Sequence, residues 1–145
     1  MKLKQVVYSL LVSFVFLTGC SKDEQPPVPL PQTTQNLTGM GNRVWKIQEI
    51  DINGIPQALT VAQKGYSKTY TVDAGKTTSG KVVSSDGYAG DWSFPSEKTL
   101  QEYYNNDAQL QGIQIVYTLN ELTATKLDVS YTKNNQLIRE VYIGF

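Results

Sequence analysis

Short runs in which apolar and polar residues alternate fill the chain from Leu37 to Phe145, and Gly, Asn, Asp or Pro separates each run from the next. Runs of this kind, rich in Tyr, Trp, Val, Ile and Thr, are typical of antiparallel β-strands. The pattern predicts eight strands, at about 45–51, 66–72, 77–84, 88–94, 99–104, 113–119, 127–131 and 136–143. Residues 58–65 allow at most a turn or two of helix.

The connections between these strands are short and contain turn-forming residues. Asn53-Gly54, between Ile52 and Ile55, predicts a hairpin with a type I′ turn, which requires positive φ at both positions. Asp73-Ala74-Gly75, Asp86-Gly87 and Asn134-Asn135 predict further turns. Hairpin-length connections favour an up-and-down meander, and closure removes its exposed edges. The predicted fold class is all-β, an antiparallel meander of about eight strands in a closed or nearly closed small barrel.

The N-terminus has the pattern of a secretory signal. Two lysines precede an apolar run from Val6 to Leu17, which is shorter than the roughly 20 residues needed to cross a bilayer. Leu17-Thr18-Gly19-Cys20 then resembles the lipobox of bacterial lipoproteins. The resemblance implies that residues 1–19 are removed and that Cys20 carries a diacylglyceryl thioether and an acylated amine. Several acyl chains together give stable membrane anchoring.

Residues 20–38 are predicted to form the lipidated cysteine and a tether, followed by one domain at 39–145. The tether contains four of the six prolines, which favour polyproline II, and it has little apolar content with which to form a core. Ser21-Lys22-Asp23-Glu24 resembles the surface-export signal of Bacteroidetes lipoproteins; the alternative is a plain linker. The expected location is the outer membrane, with the outward-facing leaflet as a hypothesis.

Several short segments resemble the lipocalin-like lipoprotein domains common in Bacteroidetes. These segments are Leu37-Thr38-Gly39, Trp45-Lys46-Ile47, Asn53-Gly54, Gly90-Asp91-Trp92-Ser93-Phe94, and Leu122-Thr123 leading to Leu127-Asp128-Val129. The resemblance covers roughly residues 37–145. It implies a small lipocalin-like barrel in a cell-envelope lipoprotein.

The amino-acid composition limits the kinds of catalytic, metal and nucleic-acid-binding sites that the chain can form. The 145 residues include 13 basic and 13 acidic side chains, one Cys and no His. No basic cluster is present to bind nucleic acid. Without His the chain lacks the usual general base and the commonest zinc ligand, and a single Cys cannot build a disulfide framework. We therefore predict no enzyme activity, no cofactor and no metal.

Two groups of polar residues are possible sites for catalysis or calcium binding. The carboxylate pairs Asp86/Asp91 and Glu97/Glu102 have odd spacings, which place the members of a pair on opposite faces of a shared strand, so turns and outward faces are favoured over catalysis. Asn105, Asn106 and Asp107 offer oxygen ligands for calcium, but a plain loop is favoured because no Gly-centred loop with a terminal Glu follows.

The inward aromatic residues are the candidate ligand contacts, because an eight-stranded barrel is just wide enough to be filled by side chains or to hold one small ligand. They are Trp45, Tyr66, Tyr70, Tyr88, Trp92, Tyr104, Tyr117 and Tyr131. In one hypothesis they line a pocket for a small apolar or amphipathic molecule. In the other they fill the core, and the protein acts through its surface as an accessory subunit or inhibitor of an envelope protein, with Tyr103 and Tyr142 on outward faces.

Overall fold

The computed structural model describes residues 28–41, 43–104 and 112–145. The predictions for the signal peptide, for Cys20, for Ser21-Lys22-Asp23-Glu24 and for Asn105–Asp107 lie outside the described residues. Within the described ranges nine strands form one antiparallel sheet. They are β1 (Val44–Ile52), β2 (Ile55–Pro56), β3 (Ser67–Val72), β4 (Ser79–Ser84), β5 (Ala89–Ser96), β6 (Thr99–Tyr104), β7 (Ile113–Leu122), β8 (Lys126–Lys133) and β9 (Gln136–Gly144).

The sheet closes into a barrel. From β3 to β9 each strand pairs with the next along the chain, and β1 pairs with both β3 and β9. Eight strands therefore form the wall, and β2 is an extra two-residue strand paired with the end of β1. The predicted fold class is confirmed. The first hairpin also forms as predicted, with φ of 52° at Asn53 and 79° at Gly54.

A network of ion pairs on the outer face crosses the seam where the last strand meets the first. Arg139 of β9 donates to Asp128 of β8 and, at 2.9 Å, to Oδ2 of Asp51 on β1. The guanidinium also lies 2.8 Å from Glu49. Burial raises the pKa of Asp128, but the hydrogen bonds from Arg139 and Asn120 and the charges of Arg139 and Lys126 together lower it by more, so the net shift is downward. These contacts stabilise the closed form of the sheet.

A helix, α1 (Gln32–Thr38), packs against one end of the barrel. Its Leu37, Thr34 and Thr38 are buried, and the hydroxyl of Thr34 donates to the carbonyl of Thr77 at 2.6 Å. The indole of Trp45 donates to the carbonyl of Leu37 at 2.7 Å. We call this the plugged end. The other helix, α2 (Val61–Lys64), begins with a capping box between Thr60 and Gln63 and lies beside β1.

Helix α1 differs from the tether predicted over 20–38. Its buried face consists of Thr34, Leu37 and Thr38, which are three and four residues apart as a helix requires. Only one of the three is apolar, so the hydrophobic pattern contains no helical period to detect. Residues 32–38 pack as part of the barrel. None of the helices in the described ranges is long and apolar enough to span a bilayer.

Two glycines allow neighbouring strands to approach closely. A Cβ at Gly80 would lie 1.9 Å from the carbonyl oxygen of Thr71, and one at Gly90 would lie 2.2 Å from that of Tyr103. Gly80 and Gly90 are on the same inward-facing rows as Trp92 and Tyr104, their cross-strand partners. The absence of side chains here lets the wall bend around the large aromatic residues.

Candidate binding site

A buried carboxylate occupies the middle of the barrel. Glu102 of β6 is 0% exposed, and its Oε2 lies 2.9 Å from Nζ of Lys68 on β3. Three tyrosine hydroxyls donate to the same carboxylate: Tyr70, Tyr104 at 2.7 Å and Tyr117 at 3.2 Å. We call these five residues the Glu102 cluster. Every polar atom of the carboxylate is therefore hydrogen-bonded, as a buried charge requires.

The ammonium group of Lys68 also contacts two tyrosine side chains. It donates to Tyr117 at 3.0 Å and lies 5.0 Å from the centre of the Tyr117 ring and 5.6 Å from that of Tyr142. Such distances allow cation–π attraction to both rings. The cation is thus surrounded by one carboxylate and two aromatic faces.

The charges in the cluster stabilise each other's ionised forms. Burial raises the pKa of Glu102, but Lys68 and the hydrogen bonds lower it by more, so it lies below its ordinary value. Burial lowers the pKa of Lys68, and Glu102 raises it by more. Burial, with the charge of Glu102, raises the pKa of Tyr70 and Tyr117 well above the ordinary value. The cluster is an ion pair surrounded by neutral phenols.

A second carboxylate lies nearer the other end of the barrel. Glu140 of β9 accepts hydrogen bonds from Tyr131 at 3.1 Å and from Tyr142 at 2.6 Å. Tyr142 is buried, so the hypothesis of an outward face for it is wrong. Its cross-strand partners Ile47 and Leu127 both face inward, which fixes its side. Val141 and Ile143 lie on the opposite face of β9, so both faces of this strand carry apolar residues and the sequence does not show which face is inward.

The predicted aromatic residues separate into three groups by exposure. Trp45, Tyr70, Trp92, Tyr104 and Tyr117 are buried in the core, and Trp92 donates its indole N–H to Thr71 at 2.8 Å. Tyr66 and Tyr131 are half-buried and pack against that core, whereas Tyr88 is exposed and makes an edge-on contact with Tyr104. The seven buried and half-buried side chains therefore pack as a core with polar groups at its centre, and Tyr88 lies at the surface.

Two residues at that centre were missed as inward-facing groups. Glu102 was predicted on an outward face or a turn, but it lies between Leu100 and Tyr104, both predicted inward, and the period of two places it on the same side. Lys68 lies likewise between Tyr66 and Tyr70. The alternation of inward and outward positions along each strand was the sequence signal that could have identified both residues as inward-facing. Two other acidic residues considered as catalytic candidates lie outside the core: Asp91 pairs with Lys81 at the surface, and Glu97 is exposed.

A cavity lies in the wall of the barrel. β7 and β8 pair only where Thr118–Leu122 meets Leu127–Ser130. Beyond that point, Ile113–Tyr117 has ladder partners in β6 alone, and Tyr131–Lys133 has them in β9 alone. The two strands part and leave a cavity of about 600 Å³, which we call the β7–β8 opening.

The lining of the β7–β8 opening is both apolar and polar. Ile113, Val116 and Leu137 are large apolar side chains that remain exposed. Thr118, Ser130 and Lys133 contribute hydroxyls and an ammonium group. In the described part of the chain no carboxylate lies within ion-pair distance of Lys133. The opening therefore presents apolar surface beside a positive charge that has no carboxylate partner in the part of the chain that the structure describes.

No group of three or more His, Cys, Asp or Glu side chains that could hold a metal ion occurs among the described residues. Comparison with protein-family models, with curated proteins and with solved structures finds no match to this chain.

Proposed function

We propose that this protein is a cell-envelope lipoprotein whose barrel binds a small amphipathic molecule, and that the binding site is the β7–β8 opening. The observation that carries the proposal is the 600 Å³ cavity in the wall, lined by exposed apolar side chains. Its volume lies within the roughly 300–1,000 Å³ of typical ligand pockets. The centre of the barrel is a less suitable site, because the Glu102 cluster and the buried aromatic residues occupy it.

The lining suggests how such a molecule would be oriented. Its apolar part would cover Val116 and Leu137, which removes apolar surface from water. Its polar part would face the hydroxyls of Thr118 and Ser130 or the ammonium of Lys133. An anionic head group fits best, since Lys133 lacks a carboxylate partner among the described residues.

The test uses the chain from Ser21 to Phe145, which retains every described residue and lacks the lipid acceptor. The probe is anilinonaphthalene sulfonate, which joins apolar rings to an anion. Fluorescence titration should show saturable binding that Val116→Gln weakens. Val83→Gln on β4 is the matched control, because Val83 is 51% exposed and Val116 is 52% exposed. Near-ultraviolet circular dichroism establishes that each variant is folded. Equal binding by both variants would contradict the proposal.

A second candidate function rests on the filled interior. In it the barrel binds nothing small and acts through its surface as an accessory subunit or inhibitor of another envelope protein. The exposed ring of Tyr103 on the outer face of β6 favours this candidate. A folded chain that does not bind the fluorescent probe would support it.

The location and the family remain proposals that rest on the sequence. We propose that Cys20 is lipidated, that the protein is anchored in the outer membrane facing outward, and that the domain is lipocalin-like. Cys20→Ser should move the protein from the membrane fraction to the soluble fraction. Protease treatment of intact cells should cut the wild-type chain. Cutting only after lysis would place the domain on the periplasmic side.

A further inference from the structure

We propose that the β7–β8 opening binds an extended peptide segment, which pairs its main chain with the free edges of β7 and β8. The inference rests on the proposed function, because it names the class of amphipathic ligand that the same site takes. The proposed ligand alternates apolar and small polar residues and bears a carboxylate at one end.

The first argument is the unused hydrogen-bonding capacity of the two edges. In an antiparallel strand, alternate residues direct their N–H and C=O groups toward one neighbour and then the other. Within the described ranges, the five residues Ile113–Tyr117 pair with β6 only, and the three residues Tyr131–Lys133 pair with β9 only. The groups that point away from those partners face the opening. Such edges are the usual docking sites for an added strand.

The second argument is the contrast with the other short ladder of the barrel. β1 and β3 pair only where Val44–Lys46 meets Ser67–Thr69. The parts of β1 and β3 that do not pair with each other are covered by other elements. β2 pairs with the end of β1, α2 contacts β1, and α1 packs against β3. At the β7–β8 opening, no described helix or strand covers the two edges.

The third argument concerns side chains and charge. A strand between β7 and β8 would direct alternate side chains inward, toward Ile115 and Tyr131, and outward, beside Val116 and Leu137. Both neighbourhoods favour apolar or β-branched residues. Lys133 lies where β8 ends and has no carboxylate partner among the described residues, so a carboxylate at that end of the peptide would meet its ammonium.

The experiment uses a capped synthetic hexapeptide that alternates valine and threonine and ends in glutamate. Its control is the same peptide with alternate main-chain amides N-methylated, which keeps the side chains and removes the donors along one edge. Amide hydrogen exchange of the chain from Ser21 to Phe145 is followed by NMR. The unmodified peptide should slow exchange about tenfold or more at edge amides within Ile113–Tyr117 and Tyr131–Lys133, and the methylated peptide should not.

A charge exchange tests the orientation. Lys133→Glu should weaken binding of the glutamate-ended peptide and restore binding of a lysine-ended one. Lys98→Glu is the control, because Lys98 lies in the β5–β6 turn near the plugged end and has no carboxylate partner in the described ranges.

Four results would overturn the inference. Equal slowing by the methylated peptide would mean that only side chains are recognised. Edge amides already protected in the dilute free chain would mean that the chain covers its own edges. Protection that grows with protein concentration would indicate a second copy as the occupant. If the fluorescent probe binds and the peptide does not, the inference fails while the proposed function stands; if neither binds, both fail.

Discussion

The ammonium of Lys68 lies 2.9 Å from Oε2 of Glu102, and the side chains of the two residues are 4% and 0% exposed. Removing two charges from water is costly, and their attraction and hydrogen bonds offset that cost only while both are present. The packing of the core therefore depends on both members of the pair, because three buried tyrosine hydroxyls also donate to the carboxylate of Glu102.

Removing one member of this pair should be strongly destabilising. We expect Lys68→Met to lower the free energy of unfolding by about 3–5 kcal/mol, because Glu102 is left buried without its cation. Urea denaturation at neutral pH measures the loss. The matched control is Lys81→Met, which removes a pair with Asp91 whose side chains are 59% and 53% exposed and should leave the stability nearly unchanged. The double variant Lys68→Met/Glu102→Gln should recover much of the loss, since no unpaired charge remains. A double variant as unstable as the single one would contradict this account.

Acid should remove the same contribution. The pKa of Glu102 in the folded chain lies below its ordinary 4.5, because Lys68 and the hydroxyl hydrogen bonds outweigh the effect of burial. Its contribution to stability is therefore present above pH 4.5 and is lost as the pH falls through the lowered value. The stability difference between wild type and Lys68→Met/Glu102→Gln should change over that range. Asp128 is present in both proteins, so a difference that is constant with pH would contradict the assignment to Glu102.

Alkali should act through the tyrosines. Burial raises the pKa of Tyr66 to about 12, from an ordinary value of 10.0. The contribution of its neutral form is complete below pH 10.0 and is lost as the pH rises toward about 12. Tyr66→Phe should therefore reduce the loss of stability over that interval. Tyr103→Phe, which removes an exposed phenol, should leave the loss unchanged. Ultraviolet absorbance of tyrosinate and urea denaturation follow the two processes.

The plugged end provides a test of where the domain begins. Leu37 is 0% exposed, so Leu37→Ala should lower the free energy of unfolding by about 2–5 kcal/mol through lost burial and the cavity left behind. Met40 is 83% exposed three residues later, and Met40→Ala should have little effect. Equal stability of the two variants in thermal or urea unfolding would mean that residues 32–38 act as a tether.

The close strand approach at Gly80 should not tolerate a methyl group. A Cβ there would lie 1.9 Å from a backbone oxygen, so Gly80→Ala should cost at least the roughly 1–3 kcal/mol typical of overpacking. Gly65→Ala is the control, because its Cβ would meet the nearest atom at 3.6 Å, an ordinary contact distance. Urea unfolding of both variants gives the comparison, and a stable Gly80→Ala would mean that β3 and β4 can separate at small cost.

The sequence predicted the fold well because strand formation here depends on a local pattern. Alternation locates the strands, and Asn53-Gly54 sets a turn that its own φ preferences require. Helix α1 could not be found in this way, since two of its three buried residues are threonines. Thr34 donates to Thr77, which is distant in the chain, and Thr38 donates to Thr34 within the helix. Its burial depends on the barrel end that it covers.

The candidate site was less accessible to the same reasoning. Period-two alternation already placed Glu102 beside Leu100 and Tyr104, but the usual exposure of acids argued against an inward position, and only the approach of Lys68 reverses that preference. The β7–β8 opening has no local sequence signal. Both strands alternate along their length, and how far two strands remain paired depends on the curvature of the whole wall.

The pairing of β1 with β9 determines when the wall can form. The first and last strands of the sheet are neighbours, and Val44 exchanges main-chain hydrogen bonds with Phe145, at 3.1 and 3.0 Å. While the chain is still being synthesised β9 is missing, so the edge of β1 that pairs with it stays open until residues 136–145 have been made. Closure joins residues about a hundred positions apart, a separation that slows folding and lengthens the time in which unpaired strands are exposed. Because β1 and β9 are neighbours, a short linker could join the N-terminal and C-terminal ends of the domain. The new termini would then lie in the turn at Asn134-Asn135.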